Sequence, residues 1–190
     1  MAFTFNADSR KQFEWLLKRY PTKQACLLPG FRLVEAQQGF VNQDSMDYLA
    51  RELGLAPAFV FGVFTFYSHY RREGDGKYIV QVCQTLPCAL RGACQIVDAF
   101  KECLKLGVGE TSKDGAFSLR KVECLGSCTT APVAQINDDY FESLTPEKAR
   151  EIVAALRMGQ LPPHLSNGPS LEGGCKGLLP LVEACPEVEH

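Results

Sequence analysis

Val82-Cys83-Gln84-Thr85-Leu86-Pro87-Cys88 and Cys124-Leu125-Gly126-Ser127-Cys128 carry four of the chain's nine cysteines. Four residues separate the first two thiols and three separate the second two, with thirty-five residues between the pairs. Each pair follows a short apolar run with strand character. Tyr78 to Val82 reads as a buried strand that delivers Cys83 at its end, and Phe117, Leu119 and Val122 read as a second strand that delivers Cys124. Both pairs are thus expected on strand-end loops, where open α/β sheets place their functional residues. Folding that brings the two loops together assembles a four-thiolate site.

Outward from the pairs, residues after Cys88 turn helical, with Leu90, Cys94, Val97, Ala99, Phe100 and Leu104 as the apolar set and Gly107 and Gly109 as the stop. Val133 to Ile136 is a short third strand. Asn137-Asp138-Asp139 is a turn into Tyr140-Phe141. Thr145, Pro146 and Glu147 open a last helix, with Thr145 as N-cap and Gly159 as its stop. This succession describes a small α/β layer with a thioredoxin-like arrangement.

Upstream, residues 1–73 read as a helical bundle. Phe13, Leu16, Leu17 and Tyr20 fall at helical spacing after an N-cap at Asp8 or Ser9. A second segment runs from about Lys23 to Gln38, with Pro29-Gly30 as an expected kink and Gly39 as C-cap. A third runs from Gln43 to Leu53 and stops at Gly54. A fourth begins at Pro57 and presents Phe59, Val60, Val63, Phe64 and Tyr67 on one face. Arg71 to Gly76 is rich in turn residues and marks a domain boundary. The expected organisation is a bundle over 1–73, an α/β domain over 74–159 and a Pro/Gly-rich tail over 160–190 that docks on a partner.

Composition narrows the function. The 190 residues are 46% hydrophobic with a formal net charge of -2. That near-neutral balance predicts no long basic face, so nucleic acid is not expected as a partner. No apolar run approaches the ~20 residues of a membrane helix. The N-terminus has no export-signal pattern. A reducing cytoplasmic compartment follows as the expectation, and it disfavours disulfides. Cys26, Cys94 and Cys103 are then expected as core residues. Cys175 and Cys185 fall in the tail. No glycine-rich dinucleotide or phosphate motif is present, so neither NADH nor a flavin is expected on this chain. No carboxylate pair suggests acid–base catalysis.

Four readings of the thiols stand side by side. Four thiolates on two loops suit a [2Fe–2S] cluster, which moves single electrons. Structural zinc also takes four cysteines, with pairs two to four residues apart on compact loops. A dithiol oxidoreductase uses Cys-x-x-Cys, which neither pair has. Unrelated buried cysteines are the fourth reading. For a cluster, Gly126 permits backbone N–H groups to approach sulfur. The helix starting near Cys88, with Arg91 in its first turn, offsets negative charge, while Glu123 opposes that.

The chain resembles the NuoE-type subunit of NADH:quinone oxidoreductase, respiratory complex I. The resemblance rests on Tyr20-Pro21, Gly62 to Tyr67, Val82 to Cys88 with Leu90-Arg91-Gly92, Val122 to Cys128, Ala131-Pro132 and Asn137-Asp138. It spans about residues 12 to 158. It implies one [2Fe–2S] cluster on Cys83, Cys88, Cys124 and Cys128. It also implies an NADH- and FMN-binding NuoF-type partner subunit within the peripheral arm of complex I, at the inner face of the cell membrane without insertion into it. The same subunit type resembles parts of NAD-linked and electron-bifurcating hydrogenases and formate dehydrogenases, and a free ferredoxin-like carrier is the remaining alternative. In the tail, Leu171 to Gly174 departs from the family's Glu-Pro-x-Gly-Gly pattern.

Overall fold

A computed structural model describes residues 3–160 and Pro162. The expectations for the tail, including Cys175, Cys185 and Leu171 to Gly174, lie outside the described residues. The chain divides into two compact units, one running to Glu73 and the other beginning at Gly74.

The first unit is helical. α1 (Ala7–Arg19) begins two or three residues earlier than the sequence suggests. Asn6 is the N-cap, and its side chain accepts the Ser9 N–H at 2.8 Å. Phe13 and Leu16 are buried, but Tyr20 is an exposed C-cap and leaves the stripe. The expected kink at Pro29-Gly30 does not occur. A 3-10 turn (Lys23–Cys26) leads into α2 (Leu27–Gln38), so Pro29 sits in the first turn, where its missing N–H costs nothing. Gly30 has a packing reason instead: an added Cβ would stand 3.1 Å from the Leu49 side chain. Absence of that carbon lets α2 approach α3 (Gln43–Leu53) closely. Asn42 and Ser45 cap α3 reciprocally, and Gly39 and Gly54 end α2 and α3 in left-handed conformations, as their sequence positions suggest. α4 (Pro57–Phe66) buries only Val60 and Phe64 of its expected face. Phe59 and Tyr67 are exposed, as are Phe61 and Phe66.

The second unit is a mixed four-stranded sheet with helices. Its elements are β1 (Tyr78–Cys83), α5 (Leu86–Leu90), α6 (Ala93–Leu104), β2 (Phe117–Val122), β3 (Ala134–Ile136), β4 (Asp139–Phe141) and α7 (Pro146–Arg157). The order across the sheet is β2-β1-β3-β4. β1 runs parallel to β2 and antiparallel to β3, and β3 runs antiparallel to β4. Val80 and Val82 of the central strand enter one core with Phe100, Leu119, Phe141 and Ile152, beneath α6 and α7. Among the described residues there are seven α-helices and one mixed sheet, so the architecture is the α/β class expected, with a thioredoxin-like second unit.

The helix expected after Cys88 is two helices. α5 starts upstream of Cys88, and the chain breaks at Gly92, whose φ of 92° is left-handed. Arg91 therefore caps the end of α5 and does not lie in a first turn. Leu90 is 78% exposed and Cys94 is exposed, so neither is the core residue expected. Lys105 at φ 55°, not Gly107 or Gly109, ends α6. Cys26 is buried and Cys103 is half-buried against the sheet core. Among the described residues, no helix is long and apolar enough to cross a membrane.

Asp139 is a further departure. It is no turn residue but the first residue of β4, only 3% exposed, with no hydrogen-bond partner for either carboxylate oxygen among the described residues. Burial, and secondarily the nearby Asp138, raises its carboxyl pKa above the ordinary value. The folded state then binds a proton more tightly than the unfolded chain. The resulting destabilisation is absent below the unfolded carboxyl value near 4. It grows as pH rises through the raised folded value, and it is full beyond that. Asp139→Asn is expected to stabilise the chain by roughly 1–2 kcal/mol at pH 7. The gain should shrink towards pH 4, as read from urea unfolding at a series of pH values.

Candidate metal centre

Sheet register brings the two cysteine pairs to one end. In the parallel pairing of β1 with β2, Cys83 stands opposite Val122, so both strands finish together. Cys124 lies two residues past that edge. β3 returns antiparallel from the same end, with Val82 opposite Ala134, and the Cys83 N–H donates to the Val133 carbonyl at 3.1 Å. The segment before β3 therefore starts there, with Cys128 opening a 3-10 turn (Cys128–Thr130) and a cis Ala131–Pro132 bond following. Cys88 arrives from within α5. All four thiols thus converge, although only Cys124 lies on an open loop. Cys83 ends a strand, Cys88 is helical and Cys128 begins a turn.

The two pairs differ in environment. Cys83 and Cys88 are each 2% exposed and pack with Ala93, Ala131 and Val133, flanked by Leu125 and Tyr140. Cys124 and Cys128 are exposed. Their sulfurs stand 3.7 Å apart. Two thiolates on one tetrahedral metal at about 2.3 Å stand roughly 3.8 Å apart, so this pair already has a chelating separation. Among the described residues, no three or more His, Cys, Asp or Glu side chains are already gathered closely enough to hold a metal ion, so the second pair's separation is the ligating geometry the structure shows.

Ionisation runs unevenly within each pair. Burial is the largest influence on Cys83 and pushes its pKa up. Hydrogen bonds from the Thr85 side chain and backbone, the Leu125 backbone and Cys88 outweigh it and leave the thiol below its ordinary value. Burial, followed by the neighbouring Cys83, pushes Cys88 up to about 11. In the second pair, the Gly126 N–H, 3.4 Å from the Cys124 sulfur, heads the interactions that lower Cys124. Contact with Cys124 raises Cys128. Each pair thus favours one thiolate and one thiol, and binding a metal group displaces the second proton. An alkylation order follows for cluster-free protein at pH 7. Cys124, lowered and exposed, is expected to react before Cys128, Cys83 and Cys88, as timed by peptide mass spectrometry with iodoacetamide.

Sequence reading missed several residues at the site. Thr85 places its hydroxyl 3.3 Å from the Cys83 sulfur and also interacts with Cys124. The Tyr140 hydroxyl donates to the Leu125 carbonyl at 2.9 Å, and the Ser127 hydroxyl donates to Glu142. Thr85 could have been noticed, since it lies within the first pair's spacer. Tyr140 and Glu142 lie more than ten residues from any of the four cysteines and carry no local signal. The Arg91 Nε donates to the Ala131 carbonyl at 3.4 Å, in place of the helix-start role expected for that side chain. Glu123 is exposed.

Comparison with known proteins adds to this geometry. The chain is 41% identical over 159 residues to NADH-quinone oxidoreductase subunit 2 of Thermus thermophilus, covering 82% of this chain and 88% of that one. It is 39% identical over 142 residues to an NADH-quinone oxidoreductase subunit of Mycobacterium bovis, covering 75% of this chain but 56% of that protein's length. In shape it resembles part of an NAD+-reducing [NiFe]-hydrogenase in its H2-reduced state, with a TM-score of 0.57 at 15% identity. That match covers 68% of this chain and 22% of the hydrogenase chain, and it speaks for the fold alone. The profile of the thioredoxin-like [2Fe-2S] ferredoxin family matches residues 13–157, and with the relatives above it settles the family: the chain belongs to the thioredoxin-like [2Fe-2S] ferredoxins.

Proposed function

We propose that this chain holds a [2Fe–2S] cluster on Cys83, Cys88, Cys124 and Cys128. It then serves as an electron-transfer subunit of an NADH–quinone oxidoreductase, beside a partner subunit that binds NADH and FMN, in an assembly at the cytoplasmic face of the membrane. The observation that carries this reading is the convergence of two cysteine pairs at one end of the sheet, one buried and one exposed. The names of the relatives supply the assembly.

Such a cluster accepts and returns one electron at a time. The chain's own residues set the terms. Cys83 and Cys88, inside the apolar cluster with Ala93 and Val133, keep water from one side of the site. Cys124 and Cys128 leave the other side at the surface, where a partner's redox group can approach. Backbone N–H groups of Leu125 and Gly126 point at Cys83 and Cys124, and they offset negative charge on the sulfurs. This chain needs no dinucleotide site of its own if the partner carries the flavin.

The test is to isolate the full chain from its native cells by a mild affinity tag. A red-brown protein is expected, with iron and acid-labile sulfide in equal amounts and one rhombic paramagnetic signal after reduction. A flavin-bearing, NADH-oxidising subunit is expected to accompany it. A colourless zinc-containing protein would sink the cofactor assignment. Co-isolation with hydrogenase or formate dehydrogenase subunits would sink the assembly while leaving the cofactor standing.

A further inference from the structure

The loop carrying Cys124 and Cys128 alternates in exposure. Cys124, Gly126 and Cys128 are exposed, while Leu125 and Ser127 are half-buried. Apart from Leu125, which packs against the apolar cluster of Cys83 and Cys88, the segment buries little apolar surface. Gly126, at φ 83°, is the residue type with the widest backbone freedom. Yet the two sulfurs stand at a chelating 3.7 Å. Something other than the loop's own packing must hold that separation.

The two half-buried residues are the ones gripped from outside, and both grips come from one place. Tyr140, in β4, donates its hydroxyl to the Leu125 carbonyl at 2.9 Å. Glu142, one residue past the end of β4, accepts from the Ser127 hydroxyl, which also lies 2.8 Å from the Thr130 hydroxyl. On extended backbone, residues two apart project to the same face, so the two side chains act in parallel. Main-chain bonds continue the seam. The Ser143 N–H donates to the Thr130 carbonyl at 2.7 Å, and the Leu144 N–H donates to the Pro132 carbonyl at 3.1 Å. β4 itself is registered through β3, with Gln135 opposite Tyr140, to the strand that ends in Cys83. The position of the buried ligand pair is thereby transmitted across the sheet to the exposed pair.

We propose that Tyr140 and Glu142 are positioning residues: a two-point brace on edge strand β4 that holds Leu125 and Ser127 so that Cys124 and Cys128 stay at ligating separation. The proposal rests on the assignment of those two cysteines as ligands. Their hydrogen bonds go to Leu125 and Ser127, which lie between the two cysteines. Each fixes the backbone on one side of Gly126, so the pair is preset before a metal group arrives, and its loss on opening of the loop is slowed. Contacts of this kind outside the ligands are commonly worth 10- to 100-fold in metal affinity.

The experiment uses the full chain carrying its cluster, and it follows bleaching by a ferrous chelator under non-denaturing conditions. Tyr140→Phe, Ser127→Ala and Glu142→Ala are each expected to bleach about tenfold faster than the parent. Their unfolding midpoints in the cluster-free state should stay unchanged, and the paramagnetic signal of the reduced cluster should shift. Both Ser127→Ala and Glu142→Ala remove the Ser127–Glu142 contact, and Ser127→Ala also loses the Thr130 contact, so adding Glu142→Ala to Ser127→Ala should change nothing further, whereas Ser127→Ala with Tyr140→Phe should reach about a hundredfold. Glu142→Gln keeps an acceptor and loses the charge. It should therefore restore the parent's bleaching rate while raising the reduction potential. Bleaching within twofold of the parent in both Tyr140→Phe and Ser127→Ala would overturn the brace. So would faster bleaching that simply tracks a lowered unfolding midpoint. An unaltered spectrum and bleaching rate in Cys124→Ser and Cys128→Ser would overturn the ligand assignment beneath it, which is a separate result.

Discussion

Serine in place of Cys83 or Cys88 is expected to abolish cluster incorporation, whereas serine in place of Cys124 or Cys128 should leave part of the protein loaded with an altered cluster. The difference comes from what each pair is embedded in. A serine ligand must lose its proton to bind iron as an alkoxide. In the apolar cluster formed with Ala93, Ala131 and Val133, that charge has little water to stabilise it, and at Cys83 the Thr85 and Leu125 hydrogen bonds are positioned for a sulfur and not for a shorter oxygen. A serine oxygen also reaches less far than sulfur, so the backbone has to follow. Cys83 cannot follow, because the β1–β2 register fixes it opposite Val122 and its N–H is bonded to the Val133 carbonyl. Cys88 is held within α5, whose last turn is tied by the Arg91 N–H to the Pro87 and Cys88 carbonyls.

The exposed pair has neither obstacle to the same degree. Water reaches Cys124 and Cys128, and Gly126 between them tolerates a change in backbone angles. Iron content per chain, measured on freshly isolated protein, is the direct reading. The buried-pair variants should fall by more than about tenfold and the exposed-pair variants by only a few-fold. Signal shape should change in the exposed-pair variants, because an oxygen replaces a sulfur on one iron. Equal loss at all four positions would show that solvent exposure does not rank the ligands. A reversed order would show that the buried thiols are packing residues.

How far the sequence foretells this site depends on whether the cause is local. The spacing of the cysteines, the strands that deliver Cys83 and Cys124, and the caps at Gly39, Gly54 and Thr145 are local features, and the structure has them where the pattern puts them. The departures arise where a distant contact decides. Pro29-Gly30 looks like a helix breaker until Leu49 is seen against Gly30. The apolar pattern from Leu90 to Leu104 runs through Gly92 without interruption, so the break between α5 and α6 is invisible to periodicity. Leu90, Phe59 and Tyr67 satisfy a hydrophobic stripe but stay exposed, because a pattern reports apolar faces and not what covers them. Asp139 belongs to a local polar run, yet its pairing with Ile136 places it inside. The grips on Leu125 and Ser127 come from across the sheet and have no counterpart in the spacing of the cysteines.

Thr85→Val is expected to lower the reduction potential of the bound cluster by roughly 60 mV, the one-electron equivalent of about 1.4 kcal/mol. Thr85 sits in the spacer of the buried pair, yet its hydroxyl reaches both pairs, 3.3 Å from the Cys83 sulfur and interacting with Cys124. Toward a thiolate the hydroxyl is the donor. A four-thiolate two-iron site carries a formal charge of about -2 oxidised and about -3 reduced, so a donor stabilises the reduced form more. Hydrogen bonds to charged groups contribute about 1.5–3 kcal/mol, and only the part that differs between the two oxidation states moves the potential. Valine keeps the branched shape and removes the donor, so packing around Cys83 is preserved. Thr85→Ser keeps the donor and should stay within about 15 mV of the parent, roughly a quarter of that shift. Redox titration of the paramagnetic signal reads both variants. A potential that rises in Thr85→Val would mean that the hydroxyl is turned away from the sulfurs. Equal shifts in the valine and serine variants would trace the effect to packing and remove Thr85 from the residues that tune the site.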